Sequence, residues 1–337
     1  MLVGMQLNAQ SEENNSLTLE KIWYSPAFAA KYPSSFKGMK DGETYCLAEK
    51  KDKHTEVYRY QIKDGKRLEQ LFSTQNILVD SEPVKMQGFR FSDDEKLVLI
   101  EFDKKSVYRH SYSCNALIYN IETEKMISFP EQIMYPRISP DGQYYSYVRD
   151  NNLYYHILNF KETEARSITT DGAINKIRNG NVDWVYEEEF GMDVGYFWSP
   201  NSKYISYYRF NEEAVPEFTM DIFGSLYPKR ETWKYPKAGE VNSVVDIYIF
   251  DVSTNTSVKC KTNSNQDQYL PRMHWDLNGE KLAIQRLNRH QNQLELLLAN
   301  PIFGNTEVQY TEKNKYYVEV HDWIPIEGEQ WLHLSEK

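Results

Sequence analysis

A recurring turn followed by a strand is the feature that most constrains the fold of this 337-residue chain. Five segments share it, each with an apolar residue, a polar turn and a run of alternating aromatic and β-branched residues: FKGMKDGETYCLAE, FRFSDDEKLVLIEF, PRISPDGQYYSYVR, YFWSPNSKYISYYR and MHWDLNGEKLAIQR. The turns open at Met39, Ser92, Ser139, Ser199 and Asp276, so successive copies lie 53, 47, 60 and 77 residues apart. Two of these spacings are close to the length of one β-propeller blade.

The residue types in the repeat favour short strands joined by tight turns. Ser or Asp is expected to close each turn through its side chain, and Gly or Asn to take the left-handed backbone conformation. Strands are predicted at 144–148, and second strands of the units at 116–120, 153–158 and 245–251. Four short strands per unit describe a blade, so the prediction is an all-β protein, a β-propeller of four-stranded blades. A β-sandwich is the alternative, but it does not predict a turn that recurs at blade spacing.

The two long spacings locate insertions, at about 171–192 and about 211–242. In repeat proteins, insertions collect on the loops of a functional face. The first insertion carries Asp183 ahead of a run of three glutamates, which predicts a short helix with Asp183 as its N-cap. Neighbouring glutamates on a helix diverge by about 100°, so two of them can hold one cation from different sides. A solvated acidic helix start is the simpler alternative, although Trp184 and Tyr186 favour a packed segment.

Composition and charge exclude several classes of protein. Hydrophobic residues make up 40% of the chain and charged residues 26%, which is typical of a globular protein. The net charge of -10 argues against binding to the phosphate backbone of nucleic acids. No apolar run approaches the roughly 20 residues that a membrane-spanning helix needs.

Cysteine and histidine chemistry is not indicated by the sequence. Cys46, Cys114 and Cys260 are odd in number and widely spaced, so neither a disulfide framework nor a zinc knuckle can be built from them. Each is expected to be a small buried apolar residue, and one pair could form a bridge in an oxidising compartment. The histidines lack metal-ligand spacing. No metal and no cofactor are predicted.

The first ten residues, MLVGMQLNAQ, resemble the end of a secretory signal. A short apolar run precedes Leu7, Asn8 and Ala9, which suit a small-residue cleavage site before Gln10. The apolar run is too short for a complete signal, and an ordinary disordered start is the alternative. A signal at residues 1–10 would place the mature protein in the periplasm or outside the cell.

Three segments in order along the chain resemble the dipeptidyl peptidase IV family of prolyl-oligopeptidase-type serine exopeptidases. DWVYEEE at 183–189 resembles the double-glutamate motif of that family, and YRHSY at 108–112 resembles its second substrate-contacting segment. YPKAG at 235–239, after NEEAVPE at 211–217, resembles the extended arm that the family uses in dimerisation. The resemblance covers nearly the whole chain after residue 16, and the short signal-like segment at the amino terminus suggests a bacterial member.

The resemblance implies a propeller that recognises a peptide substrate. Glu188 and Glu189 would bind the free α-ammonium of the peptide, and Arg109 would bind the carbonyl of its second residue. An ammonium group removed from water needs acceptors and compensating negative charge, which two carboxylates supply. The intact protein would release Xaa-Pro or Xaa-Ala dipeptides and form a homodimer through the arm. His110 and Ser111 are expected to lie on a strand with opposite orientations, which disfavours a nucleophile and base pair there.

The chain departs from the family at its carboxy-terminal end. The sequence contains no G-x-S-x-G nucleophile elbow, the signature of the α/β-hydrolase domain. Residues 11–337 are therefore expected to be the N-terminal propeller domain alone, an incomplete ring of about five of the family's eight blades. The catalytic domain would be its partner, and this chain alone is expected to be inactive. A non-catalytic propeller that binds proteins and an inactive peptidase homologue are the alternatives.

Overall fold

Five antiparallel sheets follow one another along the chain in the computed structural model, which describes residues 17–29, 35–161, 164–264, 267–327 and 330–335. The first sheet contains β1 (Lys37–Gly38), β2 (Thr44–Lys50), β3 (Thr55–Gln61) and β4 (Arg67–Ser73). After a small hairpin of β5 (Leu78–Val79) and β6 (Glu82–Pro83), the second sheet contains β7 (Gly88–Phe91), β8 (Leu97–Ser106), β9 (Tyr112–Asn120) and β10 (Met126–Ser128). The third contains β11 (Met134–Ile138), β12 (Tyr144–Arg149), β13 (Asn152–Ile157) and β14 (Arg166–Ser167).

The fourth and fifth sheets each contain five strands because two short strands pair with one long strand. The fourth sheet begins with β15 (Ile177–Asn179), β16 (Tyr196–Trp198) and β17 (Tyr204–Asn211). The chain then forms a separate hairpin of β18 (Glu217–Ile222) and β19 (Lys229–Lys234) before β20 (Val244–Asp251) and β21 (Thr256–Lys259) complete the sheet. The fifth sheet contains β22 (Gln268–Tyr269), β23 (Met273–Trp275), β24 (Leu282–Asn288), β25 (Gln293–Ala299) and β26 (Thr306–Lys313).

The remaining elements are short. A last hairpin joins β27 (Ile324–Ile326) to β28 (Gln330–Leu332), and the helices are α1 (Leu19–Trp23) and α2 (Trp184–Phe190). Single 3-10 turns lie at Pro26–Phe28 and Thr74–Asn76. β15 and β16 both pair with β17, and α2 lies between them in the chain. The first predicted insertion therefore divides the strand beside β17 into two short strands. No helix of the described residues has the length and apolar character needed to cross a membrane.

All five repeated turns have the same backbone hydrogen bonds. In each, the N–H of the opening residue donates to the carbonyl five residues later, and the N–H three residues later donates to the opening carbonyl. Three of the opening residues are serines, and each serine hydroxyl accepts the N–H five residues on: Ser92, Ser139 and Ser199. The predicted closure by side chains is confirmed. Glycine takes the left-handed position in three turns, whereas Glu95 and Ser202 take it in the other two, where the prediction of Gly or Asn was wrong.

Buried side chains lie between neighbouring sheets rather than in one central core. In β8, Val98 and Ile100 pack with the first sheet, whereas Leu97 and Leu99 pack with the third. Successive side chains of a strand point to opposite faces, so both faces of β8 are covered. Similar clusters join the third sheet to the fourth and the fourth to the fifth. This stacking of consecutive sheets confirms the predicted all-β propeller.

The three cysteines are buried and free. Cys46, Cys114 and Cys260 belong to three different clusters between sheets, so the possibility of a bridge between two of them was wrong. Burial raises the pKa of the Cys46 thiol to about 11 and that of the Cys114 and Cys260 thiols to about 12. The proposed signal at residues 1–10 lies outside the described residues.

The serine turns can be tested by removing one hydroxyl. Ser139 is 1% exposed, donates to Asp141 at 2.6 Å and accepts the N–H of Tyr144 at 2.9 Å. Ser139→Ala leaves a buried N–H without its acceptor, so the free energy of unfolding should fall by about 1 to 3 kcal/mol. Chemical denaturation measures the change, with Ser128→Ala at an exposed position of β10 as the control. Equal stability of both variants would contradict the structural role of the turn.

Candidate functional site

The helix predicted in the first insertion is α2, and Asp183 caps it as expected. The Asp183 carboxylate accepts the N–H of Tyr186 at 2.9 Å and the hydroxyl of Ser243 at 2.6 Å. Burial raises the pKa of Asp183. At the other end, Gly191 takes the left-handed conformation that terminates a helix. The hydroxyl of Tyr186 accepts the N–H of Leu270 at 2.7 Å, so α2 is fixed against both the fourth and the fifth sheet.

Glu187 is the residue of this site that the sequence analysis missed. Its side chain is 1% exposed, and one carboxylate oxygen accepts the backbone N–H of His110 at 2.7 Å and that of Ser111 at 2.9 Å. The expected strand at these two residues was wrong, because they lie in the loop between β8 and β9. Adjacent side chains on a helix point in different directions. The run of three glutamates therefore indicated that at least one of them faces the protein.

The loop at 107–111 is fixed by contacts on its other side as well. The N–H of Tyr108 donates to the Ser111 hydroxyl at 3.2 Å, and the Tyr108 hydroxyl accepts Nη2 of Arg178 at 3.2 Å. Arg178 in turn donates its Nε to both carboxylate oxygens of the buried Glu212 at 3.0 Å. Burial alone would lower the pKa of Arg178, but the Glu212 carboxylate raises it. The loop is therefore held by a buried ion pair and by Glu187.

Two of the three predicted site residues meet directly. Nε of Arg109 donates to Oε2 of Glu188 at 2.8 Å, across 79 positions of sequence. The Arg109 side chain is 70% exposed, whereas that of Glu188 is 17% exposed. The second oxygen of Glu188 makes no hydrogen bond within the described residues, so it is available as an acceptor. The pair thus combines a fixed carboxylate with a guanidinium that faces solvent.

Glu189, the third predicted residue, is exposed and lines a large cavity. This cavity of about 1100 Å³ lies among α2, the β18–β19 hairpin and the fifth sheet. Its lining is mixed: the cations Lys237, Arg272 and Arg289 and the carboxylates of Glu189 and Glu319 lie beside seven aromatic side chains, Trp184, Phe190, Phe218, Trp233, Tyr235, Tyr269 and Tyr317. Within the described residues, Glu189 has no hydrogen bond or ion pair. Glu188 and Glu189 therefore present carboxylates to different surroundings, one beside Arg109 and one at the cavity.

The carboxylates at this site suit recognition of a cation. Glu188 and Glu189 outnumber the Arg109 guanidinium, and of the cations that line the cavity beside Glu189, Arg272 and Arg289 are paired with Asp322 and Asp267. The Ser111 hydroxyl in the neighbouring loop accepts the N–H of Tyr108. Within the part of the chain that the structure describes, no group of three or more His, Cys, Asp or Glu side chains is arranged to hold a metal ion. A ligand with a positive head and an apolar body matches the carboxylates and the aromatic walls.

Comparison with known proteins finds a matching family and several relatives. The family described as "Dipeptidyl peptidase IV (DPP IV) N-terminal region" matches residues 92–336. Prolyl endopeptidase FAP of Bos taurus is 29% identical over 296 residues, which cover 85% of this chain and 37% of that protein. Inactive dipeptidyl peptidase 10 of Mus musculus is 29% identical over 258 residues, 73% of this chain and 31% of that protein.

A solved structure extends the similarity to three dimensions. The crystal structure of Porphyromonas gingivalis dipeptidyl peptidase 4 superposes with a TM-score of 0.81 at 32% sequence identity, over 90% of this chain and 43% of that one. The chain thus spans less than half the length of the proteins that it matches. On the matched residues and the shared fold, the chain belongs to the dipeptidyl peptidase IV family and corresponds to its N-terminal region.

Proposed function

We propose that this chain is the substrate-recognising propeller of a dipeptidyl peptidase IV-like serine peptidase that releases N-terminal Xaa-Pro or Xaa-Ala dipeptides. Glu188 and Glu189 bind the α-ammonium of the peptide, and Arg109 binds the carbonyl of its second residue. An α/β-hydrolase domain supplies the nucleophile. The ion pair between Arg109 and Glu188, next to the unpaired carboxylate of Glu189, is the main support for this proposal.

Capture of the ammonium explains why such an enzyme would remove two residues at a time. A peptide held by its charged end places one particular bond at a fixed distance from a nucleophile on another domain. Oriented binding of this kind lowers the barrier, because the reacting groups no longer lose their freedom of motion during the reaction. The aromatic cavity beside Glu189 accommodates the apolar side chains of the first residues.

The ammonium site can be tested by binding alone, without catalysis. The peptide Gly-Pro-Phe should bind, and its N-acetylated form should bind at least about tenfold more weakly, about 1.4 kcal/mol. Glu188→Gln and Glu189→Gln should each weaken binding of the free peptide by a similar factor, because each removes one negative charge. Isothermal titration calorimetry measures the affinities. Glu213→Gln, an exposed position outside the cavity, is the matched control. Equal affinity for the free and acetylated peptides would contradict the proposal.

Glu187 is expected to act through the loop and not by contact with the peptide. Glu187→Ala leaves the N–H groups of His110 and Ser111 without their acceptor, which should destabilise the protein by about 1.5 to 3 kcal/mol. Hydrogen exchange at these two amides should accelerate, and peptide affinity should fall because Arg109 is no longer held in place. Glu187→Gln keeps one acceptor oxygen and should restore most of the protection. Unchanged exchange in the alanine variant would refute this positioning role.

The proposed homodimer uses the hairpin of β18 and β19. The tip of this hairpin exposes Phe223, Leu226 and Tyr227, which are 81%, 90% and 79% exposed, an unusual concentration of apolar surface. Leu226→Asp should shift a dimer to monomers in sedimentation velocity, because a charge would be buried at the contact. Ile302→Asp, at an exposed position of the fifth sheet, should leave the sedimentation coefficient unchanged. A monomeric parent protein would rule out dimerisation through the arm.

A non-catalytic role is the second candidate, and the similarity to an inactive dipeptidyl peptidase favours it. Such a protein would keep the propeller and the arm without needing the glutamate pair. Release of Gly-Pro from a chromogenic Gly-Pro amide, measured on the product of the complete reading frame, separates the candidates. Activity that Glu188→Gln reduces supports the peptidase. Absence of activity together with intact partner binding in the same variant supports the binding protein.

A further inference from the structure

A second cavity lies at the opposite end of the sheets from Arg109. It has a volume of about 260 Å³ and is formed where β7, β11 and β16 of three consecutive sheets converge. The repeated turns that open at Ser92 and Ser139 border it. Along β11 the cavity adjoins Met134 and Tyr135, which line a smaller cavity with the loop at 107–111, but none of Arg109, Glu188 and Glu189 lines the second cavity. This cavity is therefore separate from the proposed peptide site.

Arg137 lines this cavity and has no anionic partner. Within the described residues it makes no hydrogen bond and no ion pair, and its Nε is inaccessible to solvent. Its guanidinium lies 5.9 Å from the ring centres of both Tyr196 and Phe197. Burial lowers the pKa of Arg137 and so does the charge of Arg90, whereas Tyr196, Asp193 and Glu101 raise it. Because the residue is partly exposed and has no ion pair within the described residues, its positive charge favours an anionic ligand in the cavity.

The backbone before Arg137 is distorted in a way that sets the direction of its side chain. Met134 pairs with Val148 and Arg137 pairs with Ser146, so three steps along β11 match two steps along β12. This β-bulge reverses the alternation, and Arg137 faces the opposite side from the one that an unbroken strand would give it. Tyr135, within the bulge, has a left-handed backbone at φ 53°, which is strained for a bulky residue. The hydroxyl of Tyr196 holds it by donating to the Tyr135 carbonyl at 2.5 Å.

The other walls of the cavity define what it can accept. Arg90 also lines it. Its Nη2 donates to the Glu101 carboxylate, and its other N–H groups make no hydrogen bond to Glu101. Phe197 and Trp198 supply apolar surface on one side. Asp93 lies at the rim, where it is 59% exposed and paired with Lys40 at 3.2 Å. Its carboxylate disfavours a doubly charged anion such as phosphate, and the volume is below the roughly 300 to 1,000 Å³ of sites for drug-sized ligands.

We propose that this cavity binds a small organic carboxylate, held by the guanidiniums of Arg137 and Arg90 with its apolar part against Phe197 and Trp198. The planar fork of a guanidinium matches the two oxygens of a carboxylate. Free carboxylic acids and the C-terminal carboxylate of a short peptide share this chemistry. The site is independent of the proposed peptidase activity, since it uses none of the residues around α2.

Calorimetric titration of the purified protein tests the site with defined probes. Phenylacetate should bind, whereas the neutral phenylacetamide of the same shape should bind at least about tenfold more weakly. Inorganic phosphate should also bind more weakly than phenylacetate. The dipeptide Gly-Phe distinguishes the two sources: tighter binding than phenylacetate indicates a peptide terminus, and weaker binding indicates a free acid. Equal binding of phenylacetate and phenylacetamide, or no binding of phenylacetate, would overturn the proposal.

Substitution of Arg137 gives the second arm of the test. Arg137→Gln should weaken phenylacetate binding at least about tenfold. Arg137→Lys should retain part of the affinity, because lysine keeps the positive charge but lacks the planar fork of a guanidinium. Arg149→Gln removes another half-buried arginine whose Nε makes no hydrogen bond but pairs with Asp150 at 3.8 Å. Arg149 does not line the cavity, so phenylacetate binding should be unchanged. The melting temperature of Arg137→Gln without ligand should equal or exceed that of the parent. Unchanged phenylacetate binding in Arg137→Gln, or a lowered melting temperature, would assign Arg137 a structural role instead. If this variant does not fold, the comparison of phenylacetate with phenylacetamide on the parent protein still decides.

Discussion

The stacking of consecutive sheets, with both faces of each central strand buried, is the constraint on which the rest of the structure depends. A central strand such as β8 supplies apolar side chains to two neighbouring sheets, and its residues 97–102 are all buried. Some polar side chains are nevertheless buried within strands, among them Glu101, Ser146 and Gln285. The site around α2 lies at a loop end of the sheets, whereas Arg90 and Arg137 of the second cavity lie in β7 and β11.

Within that framework, buried carboxylates connect segments that are distant in the sequence. Glu187 joins α2 of the fourth sheet to the loop of the second, and Glu212 fixes the same loop through Arg178. Neither contact is exposed to solvent, so water competes weakly and the geometry of the loop is well determined. Arg109 and Glu188 are thereby held side by side.

The sequence was most informative where the signal is local. The five turns, the helix α2 and its Asp183 cap follow from residue types within a few positions of one another, so the sequence predicts each of them. The burial of Glu187 was not predictable, because the direction that each glutamate takes depends on how α2 packs between two sheets. Glu95 and Ser202 adopt left-handed conformations that their residue types disfavour, since the surrounding turn enforces them. The free guanidinium of Arg137 depends on a bulge that no pattern in the sequence reveals.

The two ends of the propeller use charge in opposite ways. One end presents the carboxylates of Glu188 and Glu189 beside Arg109, and the other presents Arg90 and Arg137, of which Arg90 is paired with the buried Glu101. This difference arises from a few side chains on a common scaffold, which is how the same fold can serve different ligands. It also means that a ligand bound at one end carries the wrong charge for the other.

The central claim, that α2 provides an ammonium site, is tested most directly by a crystal structure of the protein with a tripeptide bearing a free amino terminus. The account predicts that the terminal nitrogen lies within hydrogen-bond distance of both the Glu188 and Glu189 carboxylates, with the second carbonyl facing Arg109. A tripeptide bound in the reverse direction, with its carboxylate on Arg109 and its amino group in solvent, would contradict it.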